Sequence, residues 1–198
     1  QTLLVDGYIS QSFQPRIAEQ YISSLLKSNI TPPYITISYP RRDGVFFFVN
    51  SAPPYVPKQI LNMPYWLLDR SVVPRGTVVP QTMWYPQTVT DRRQHVEEAE
   101  LQMPIFFEGV DGRLGLSLEA SAAGRCHGLF NAQEPAPLGL KSTTHIRVGW
   151  LGYKEFKRQV QIRDETSGHN PITISRFAHH VGRSVDAFSR FDFFQLLR

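Results

Sequence analysis

The stretch PITISRFAHHVGRSVDAFSRF, residues 171–191, shows the clearest periodicity in the chain. Its apolar residues recur at spacings of three and four, which is typical of a helix with one face in the core. Those residues are Ile174, Phe177, Ala178, Val181, Val185 and Phe188. Thr173 or Ser175 can cap the first turn. Gly182 weakens such a helix by about 1 kcal/mol relative to alanine, so we expect another element to pack closely against it.

Two alternating runs precede this helix and predict an antiparallel hairpin. In THIRVGWL (144–151) and FKRQVQIR (156–163), apolar and polar residues alternate, so each run has one apolar and one polar face. The apolar faces carry Ile146, Val148 and Trp150, then Phe156, Val160 and Ile162. The polar faces carry His145, Arg147 and Gly149, then Lys157, Gln159, Gln161 and Arg163. The residues between the two runs can reverse the chain.

Two elements are predicted near the beginning of the chain. Residues 15–29, PRIAEQYISSLLKSN, have helical spacing after a proline that a first helical turn tolerates. Residues 34–50, YITISYPRRDGVFFFVN, indicate a hairpin whose strands are interrupted over the five residues Pro40 to Gly44, and this gap implies a longer or bulged turn.

The middle of the chain predicts a tight hairpin and a short helix. Val110–Arg113 contains an Asp-Gly pair, which a reversing turn favours, and it lies between the apolar runs 105–107 and 114–118. Residues 119–131 follow and predict a short helix that ends at Gly124.

Prolines crowd the stretch from Ser51 to Gln87, together with several tyrosines and tryptophans. Each proline removes a backbone donor and restricts the residue before it, so no long regular element is expected there. We predict an irregular wrap of ordered loop and short helix on the core, with a short strand near Thr77–Val79.

Composition supports one folded chain. The 198 residues are 41% hydrophobic and 19% charged, and the single cysteine excludes an internal disulfide. The longest apolar run, Val45–Val49, is far shorter than the about 20 residues of a membrane span, so a soluble protein is expected. The first residue, Gln1, indicates a processed or trimmed end. We predict a single α+β domain over 1–198. Its antiparallel sheet of hairpins packs against an N-terminal helix and a long C-terminal helix. If the chain has two subdomains, we expect the boundary in the loop near 131–142.

Catalytic signatures are absent from the sequence. It contains no phosphate-binding glycine loop and no HExxH, CxxC or EF-hand spacing. Cys126 beside His127 is the weak candidate for a hydrolase or transferase site, because a thiol needs a neighbouring base to become a nucleophile. Adjacent residues rarely orient toward each other, so the prediction leans against an enzyme. No metal or cofactor is expected, since His179 and His180 diverge by about 100° on a helix.

The distribution of charge is the strongest functional signal. The formal net charge is +4, and residues 141–198 hold ten basic against five acidic residues. Arginine and lysine contact phosphates and guanine, and glutamine pairs with adenine, so this segment predicts a non-enzymatic module that binds DNA or RNA. The predicted contact residues are Arg147, Lys157, Gln159, Gln161, Arg163, Arg176, His180, Arg183 and Arg190. All of these side chains are expected on one side of the protein. The predicted location of the protein is intracellular and, for a DNA partner, nuclear.

An alternative is a protein-interaction or self-assembly module. The aromatic, proline-rich residues 51–87 and the apolar tail FDFFQLL, residues 191–197, need cover that a partner or second copy could supply.

The runs AAGRCHGL (122–129) and PAPLGLKS to SVDAF (135–188) resemble a segment of uncharacterised proteins of mushroom-forming fungi. The resemblance covers roughly the last two fifths of the chain. It implies an intracellular fungal protein, and it brings no activity and no functional residue with it.

Overall fold

The computed structural model describes residues 7–13, 17–18, 20–21, 35–41, 44–49, 58–60, 63–72, 78, 81, 104–150 and 153–195. Side chains of most residues in the first four strands and of 191–195 are outside this description. The named elements are α1 (Tyr8–Ser12), β1 (Ile35–Arg41), β2 (Gly44–Val49), β3 (Lys58–Ile60), β4 (Met63–Arg70), α2 (Leu118–Ala122), β5 (Thr143–Val148), β6 (Phe156–Gln161) and α3 (Ile174–Gln195). Antiparallel strands and helices together confirm the α+β class.

Contacts divide the chain into two compact units, Gln1–Pro104 and Ile105–Arg198. The loop near 131–142, the sub-boundary suggested by the sequence, lies inside the second unit. The assignment of 1–198 to one domain stays a prediction. Among the helices described, none has the length and apolar character needed to cross a membrane.

The first unit contains an antiparallel sheet in the order β1-β2-β4-β3. The predicted β1–β2 hairpin is confirmed. The five-residue gap is wrong, because β1 continues through Pro40 to Arg41 and Arg41 pairs with Gly44, whereas the bulge given as its alternative is present. The register shifts between Ser38 and Arg41. Such a bulge leaves a residue outside the ladder, which suits a proline that has no N–H to donate.

The irregular wrap predicted for residues 51–87 is wrong in part, since β3 and β4 lie within it. The pairing of β4 with β2 begins at Tyr65, one residue after Pro64. The N–H that Pro64 lacks is therefore not needed in the β2–β4 ladder. The nine residues after Pro64 contain no proline. Val78 lies in no strand, and the neighbouring residues of the predicted strand at 77–79 are outside the described ones.

A buried carboxylate joins the beginning of the first unit to its sheet. Asp69 of β4 is completely buried, and one of its oxygens accepts a hydrogen bond of 3.0 Å from the backbone N–H of Ile9 in α1. The Gln11 side chain donates to the Val72 carbonyl at 2.9 Å. Of the helix predicted over 15–29, the described residues 17, 18, 20 and 21 are helical, and the rest lie outside the description.

In the second unit, β5 and β6 form the predicted antiparallel hairpin, and α3 follows as the predicted long helix. The Thr173 hydroxyl accepts a hydrogen bond from the Arg176 N–H at 3.3 Å, so Thr173 caps α3. One apolar cluster joins the hairpin to α3 through Ala136, Val160, Ile162 and Ile172, with Ile146, Phe177 and Leu138 against it. A second joins α3 to the segment after α2 through Cys126, Leu129, Ala132, Ile174 and Ala178.

The predicted turn at Val110–Arg113 is confirmed. Gly112 has a φ of 77°, and the N–H of Gly109 donates to the Arg113 carbonyl at 2.8 Å. The flanks pair next to the turn, through the bridge of Glu108 with Leu114 and a bond of 2.7 Å from the Gly115 N–H to the Phe107 carbonyl, but the regular strands predicted over 105–107 and 114–118 do not form. Gly115, with a φ of 91°, ends any extended run after the turn. The short helix predicted near Gly124 is confirmed as α2.

Candidate nucleic-acid interface

The β5–β6 hairpin presents a polar face to solvent. Residues directly opposite in an antiparallel pair project to the same side of the sheet, and three such pairs form this face. They are Thr143 with Gln161, His145 with Gln159, and Arg147 with Lys157. All except Thr143 are exposed. We call these six side chains the ribbon face; the opposite side of the hairpin packs on α3 through Ile146 and Val160.

Basic residues gather at a second place, along α3 where Arg158 of β6 meets it; Arg176 and Arg183 are exposed there, and His179 and His180 are half-buried. Arg176, His180 and Arg183 follow one another at helical spacings of four and three, so they share one stripe, and the His179 ring lies 6.1 Å from the His180 ring. Arg158 of β6 extends to the same stripe, where its guanidinium donates to the Arg183 carbonyl at 3.3 Å. We call these five residues the cationic cluster.

His180 lies at the centre of the cationic cluster. Its pKa is lowered first by burial of the ring and then by the positive charges of Arg176, His179, Arg158 and Arg183. Its Nε2 atom is buried and has no hydrogen-bond partner within the described part of the chain. Among the ion pairs of the described residues, none includes Arg158, Arg176 or Arg183. The cluster is therefore positive and not neutralised by these pairs.

His179 has a structural contact within the cluster. Its Nδ1 lies 2.8 Å from the Ser121 carbonyl oxygen. A carbonyl only accepts, so Nδ1 carries the proton and donates. This bond orients the ring against the end of α2.

Positive charge also lies close together on the ribbon face. The pKa of His145 is lowered by desolvation first and then by Lys157 and Arg147. Arg147 forms an ion pair with Glu155, the residue before β6. The ribbon face thus combines cations, amides and a hydroxyl, all of which can form hydrogen bonds with a polar ligand.

The expectation that the predicted contact residues share one side of the protein is wrong. Lys157 and Arg158 are neighbours in β6 and project to opposite faces, so Lys157 joins the ribbon face while Arg158 meets α3. The ribbon face contains Arg147, Lys157, Gln159 and Gln161, and the cationic cluster contains Arg176, His180 and Arg183.

Two of the predicted residues have other contacts. Arg163, after β6, binds the loop before β5, donating to the carbonyls of Gly139 at 2.6 Å and Lys141 at 3.4 Å. Arg190 pairs with Asp186 at 3.1 Å. Arg163 therefore acts as a loop anchor, and part of the charge of Arg190 is offset.

Two residues of the cationic cluster, Arg158 and His179, were missed in the sequence. Arg158 lies between Phe156 and Val160, so the alternation of β6 places it among apolar neighbours. A charged residue on the apolar side of a strand is the signal that could have found it. His179 was set apart from His180 because neighbouring residues on a helix diverge, yet the two rings lie 6.1 Å apart.

The candidate thiol site does not form a nucleophile. Cys126 is 1% exposed, and its Sγ lies 3.9 Å from the Ser121 carbonyl, to which it donates. Burial raises its pKa, which favours the unreactive thiol. His127 is exposed, whereas Cys126 is in the core. No group of three or more potential metal ligands occurs among the residues that the structure describes.

The side chains that would support an assembly module lie outside this description. These are the aromatic side chains of 51–87 and all those of 191–197, so the alternative stays a prediction.

The fold and the surface define an α+β protein whose second unit carries basic side chains on a hairpin and a helix. Comparison of the chain with protein-family models, with curated proteins and with solved structures found no match.

Proposed function

We propose that this protein binds nucleic acid, and that the cationic cluster of α3 and β6 contacts the phosphate backbone. The observation that carries the proposal is the meeting of three arginines at α3. The Arg158 guanidinium donates to the Arg183 carbonyl at 3.3 Å, and Arg176 and Arg183 are exposed on that helix. Each of the three guanidinium groups is always protonated, and none of them is in an ion pair among the described residues.

Like charges at short distance repel, and this repulsion is relieved when a polyanion supplies the opposite charge. Arginine suits a phosphate especially well, because its planar guanidinium can form two parallel hydrogen bonds with two oxygens. Binding would also release counterions condensed on the nucleic acid, which makes the affinity depend strongly on salt.

The proposal implies a non-enzymatic role and an intracellular location, which would be nuclear for a chromosomal DNA partner. The alternatives of an assembly module and of a thiol enzyme have less support, the latter because Cys126 is buried.

A salt titration of the full chain on fluorescent random-sequence DNA, both duplex and single-stranded, tests the proposal. The variant Arg176→Ala/Arg183→Ala should lower the affinity roughly tenfold to a hundredfold and reduce the slope of log K against log salt by about 2. Arg113→Ala/Arg125→Ala is the matched control, because it removes the same charge from two exposed arginines elsewhere in the unit.

The control variant should retain the affinity of the parent chain to within a small factor. Absence of binding to every DNA form at low ionic strength would overturn the proposal. An equal loss in the control variant would also overturn it, because net charge and not the cluster would then explain binding.

A further inference from the structure

The geometry points to duplex DNA as the ligand, with the ribbon face lying in the major groove and contacting the edges of the bases. This inference rests on the proposed function and deepens it. The cationic cluster would supply phosphate contacts that are independent of sequence, and the ribbon face would supply the contacts that distinguish one sequence from another.

The chemistry of the ribbon face supports direct contact with bases. Its six side chains are Thr143, His145, Arg147, Lys157, Gln159 and Gln161, and every one can form hydrogen bonds. None is apolar and none is acidic. Glutamine can pair with both N6 and N7 of adenine, while lysine and arginine pair with O6 and N7 of guanine.

The spacing of the two glutamines fits the spacing of bases. Gln159 and Gln161 are two residues apart in β6 and project to the same side. Two residues of a strand span about 6.6 Å, and two base steps span about 6.8 Å along one strand of DNA. The two amides can therefore meet base pairs that are two steps apart.

The width of the hairpin selects the groove. Neighbouring strands lie about 4.8 Å apart, so a two-stranded ribbon with its side chains fits a major groove about 12 Å wide. The minor groove, about 6 Å wide, is too narrow for it. The major groove of an RNA helix is deep and narrow, and side chains cannot read it. The ribbon face thus favours duplex DNA over duplex RNA.

The position of α3 agrees with this placement. The helix packs on the side of the hairpin that faces away from the ribbon face. The major groove is about 8.5 Å deep, so an element behind a ribbon in the groove lies near the level of the phosphates. Arg158, at the contact between β6 and α3, connects the ribbon to the cationic cluster at this level.

The test begins with selection of preferred sequences from randomised DNA duplexes by the full chain. Affinity is then measured for the selected duplex and for a scrambled duplex of equal composition. We expect a preference of roughly tenfold or more for the selected duplex. Gln159→Ala/Gln161→Ala should remove most of this preference, measured as the ratio of the two affinities, whereas the exposed Gln133→Ala, as matched control, should retain it.

A chemical change in the DNA locates the contact without any protein variant. Replacement of adenine by 7-deazaadenine at the selected positions removes the N7 acceptor from the major groove and should weaken binding roughly tenfold. Equal affinity for selected and scrambled duplexes, tighter binding to single strands, or no effect of 7-deazaadenine would overturn this inference. If DNA still binds and the arginine pair still matters, the proposed function stands; if no DNA form binds, both fail.

Discussion

Gly182 of α3 approaches Ser121 of α2 so closely that no side chain fits between them. A Cβ atom on Gly182 would lie 2.3 Å from Ser121 Oγ, 2.7 Å from Ser121 Cβ and 2.8 Å from the backbone nitrogen of Ala122. The backbone contact means that a rotation of the serine side chain cannot relieve the clash. The expectation that another element packs closely at Gly182 is confirmed.

Replacement of Gly182 by alanine should therefore destabilise the protein. We expect a loss of up to about 3 kcal/mol from overpacking, which exceeds the about 1 kcal/mol that alanine returns in helix propensity. Urea unfolding of the parent and variant measures the difference. Gly149→Ala is the control, because nothing lies within 4 Å of its Cβ position, and it should change stability little. A Gly182→Ala variant more stable than the parent would contradict the packing described.

The thiol of Cys126 should react slowly with alkylating reagents in the folded protein. The side chain is 1% exposed and its pKa is raised by burial, so both access and thiolate formation are suppressed. The rate at neutral pH should rise greatly in denaturant, where the same thiol becomes accessible. Mass spectrometry of the modified chain over time measures both rates. A folded-state rate equal to that in denaturant would revive the thiol enzyme hypothesis.

The stability of the protein should decrease as the pH falls below neutral, in part because of His180. Its pKa in the folded protein is lowered from the ordinary value of 6.5, first by burial of the ring and then by electrostatic repulsion from Arg176, His179, Arg158 and Arg183. Between the folded and unfolded values, the unfolded chain binds more protons, so acid favours unfolding. The stability that depends on neutral His180 is completely lost below the pKa of the ring in the folded protein.

NMR titration of the His180 ring measures this pKa directly. Arg176→Ala should raise it, because one of the neighbouring charges is removed. His180→Gln should flatten the dependence of the unfolding free energy on pH in this window. A His180 pKa at or above 6.5 in the parent chain would show that the surrounding charges do not act as described.

Thr173 should stabilise the beginning of α3. Its hydroxyl accepts from the Arg176 N–H at 3.3 Å and lies 3.0 Å from the Ser175 hydroxyl. Thr173→Ala should cost about 1 kcal/mol of stability, whereas Thr173→Ser retains the capping oxygen and should cost less. Thermal unfolding of the two variants compares them. If Thr173→Ala and Thr173→Ser unfold at the same temperature, the capping oxygen contributes nothing to stability.

Local patterns in the sequence were sufficient for α3 and for the β5–β6 hairpin. The spacing of Ile174, Ala178 and Phe188 fixes the buried side of α3, and the alternation in β6 fixes which residues face solvent. Both patterns arise because one side of the element is buried against a single neighbouring layer, so a short stretch of sequence is enough to detect them.

Longer-range pairings could not be inferred in the same way. Strand β4 was missed because the surrounding prolines outweighed the short run Tyr65–Arg70, whose pairing with β2 depends on residues some twenty positions earlier. The division of the basic residues between two surfaces was missed for a related reason. It requires knowing that α3 packs on the side of the hairpin to which Arg158 projects, and that is a tertiary contact.

The bond between Asp69 and the Ile9 N–H links residues sixty positions apart. During synthesis, α1 leaves the ribosome well before the strand that supplies its acceptor. Contacts of such sequence separation slow folding, because a long loop must close before they form. The first unit therefore cannot complete its fold until β4 has been translated, and its early segment must stay available for that partner in the meantime.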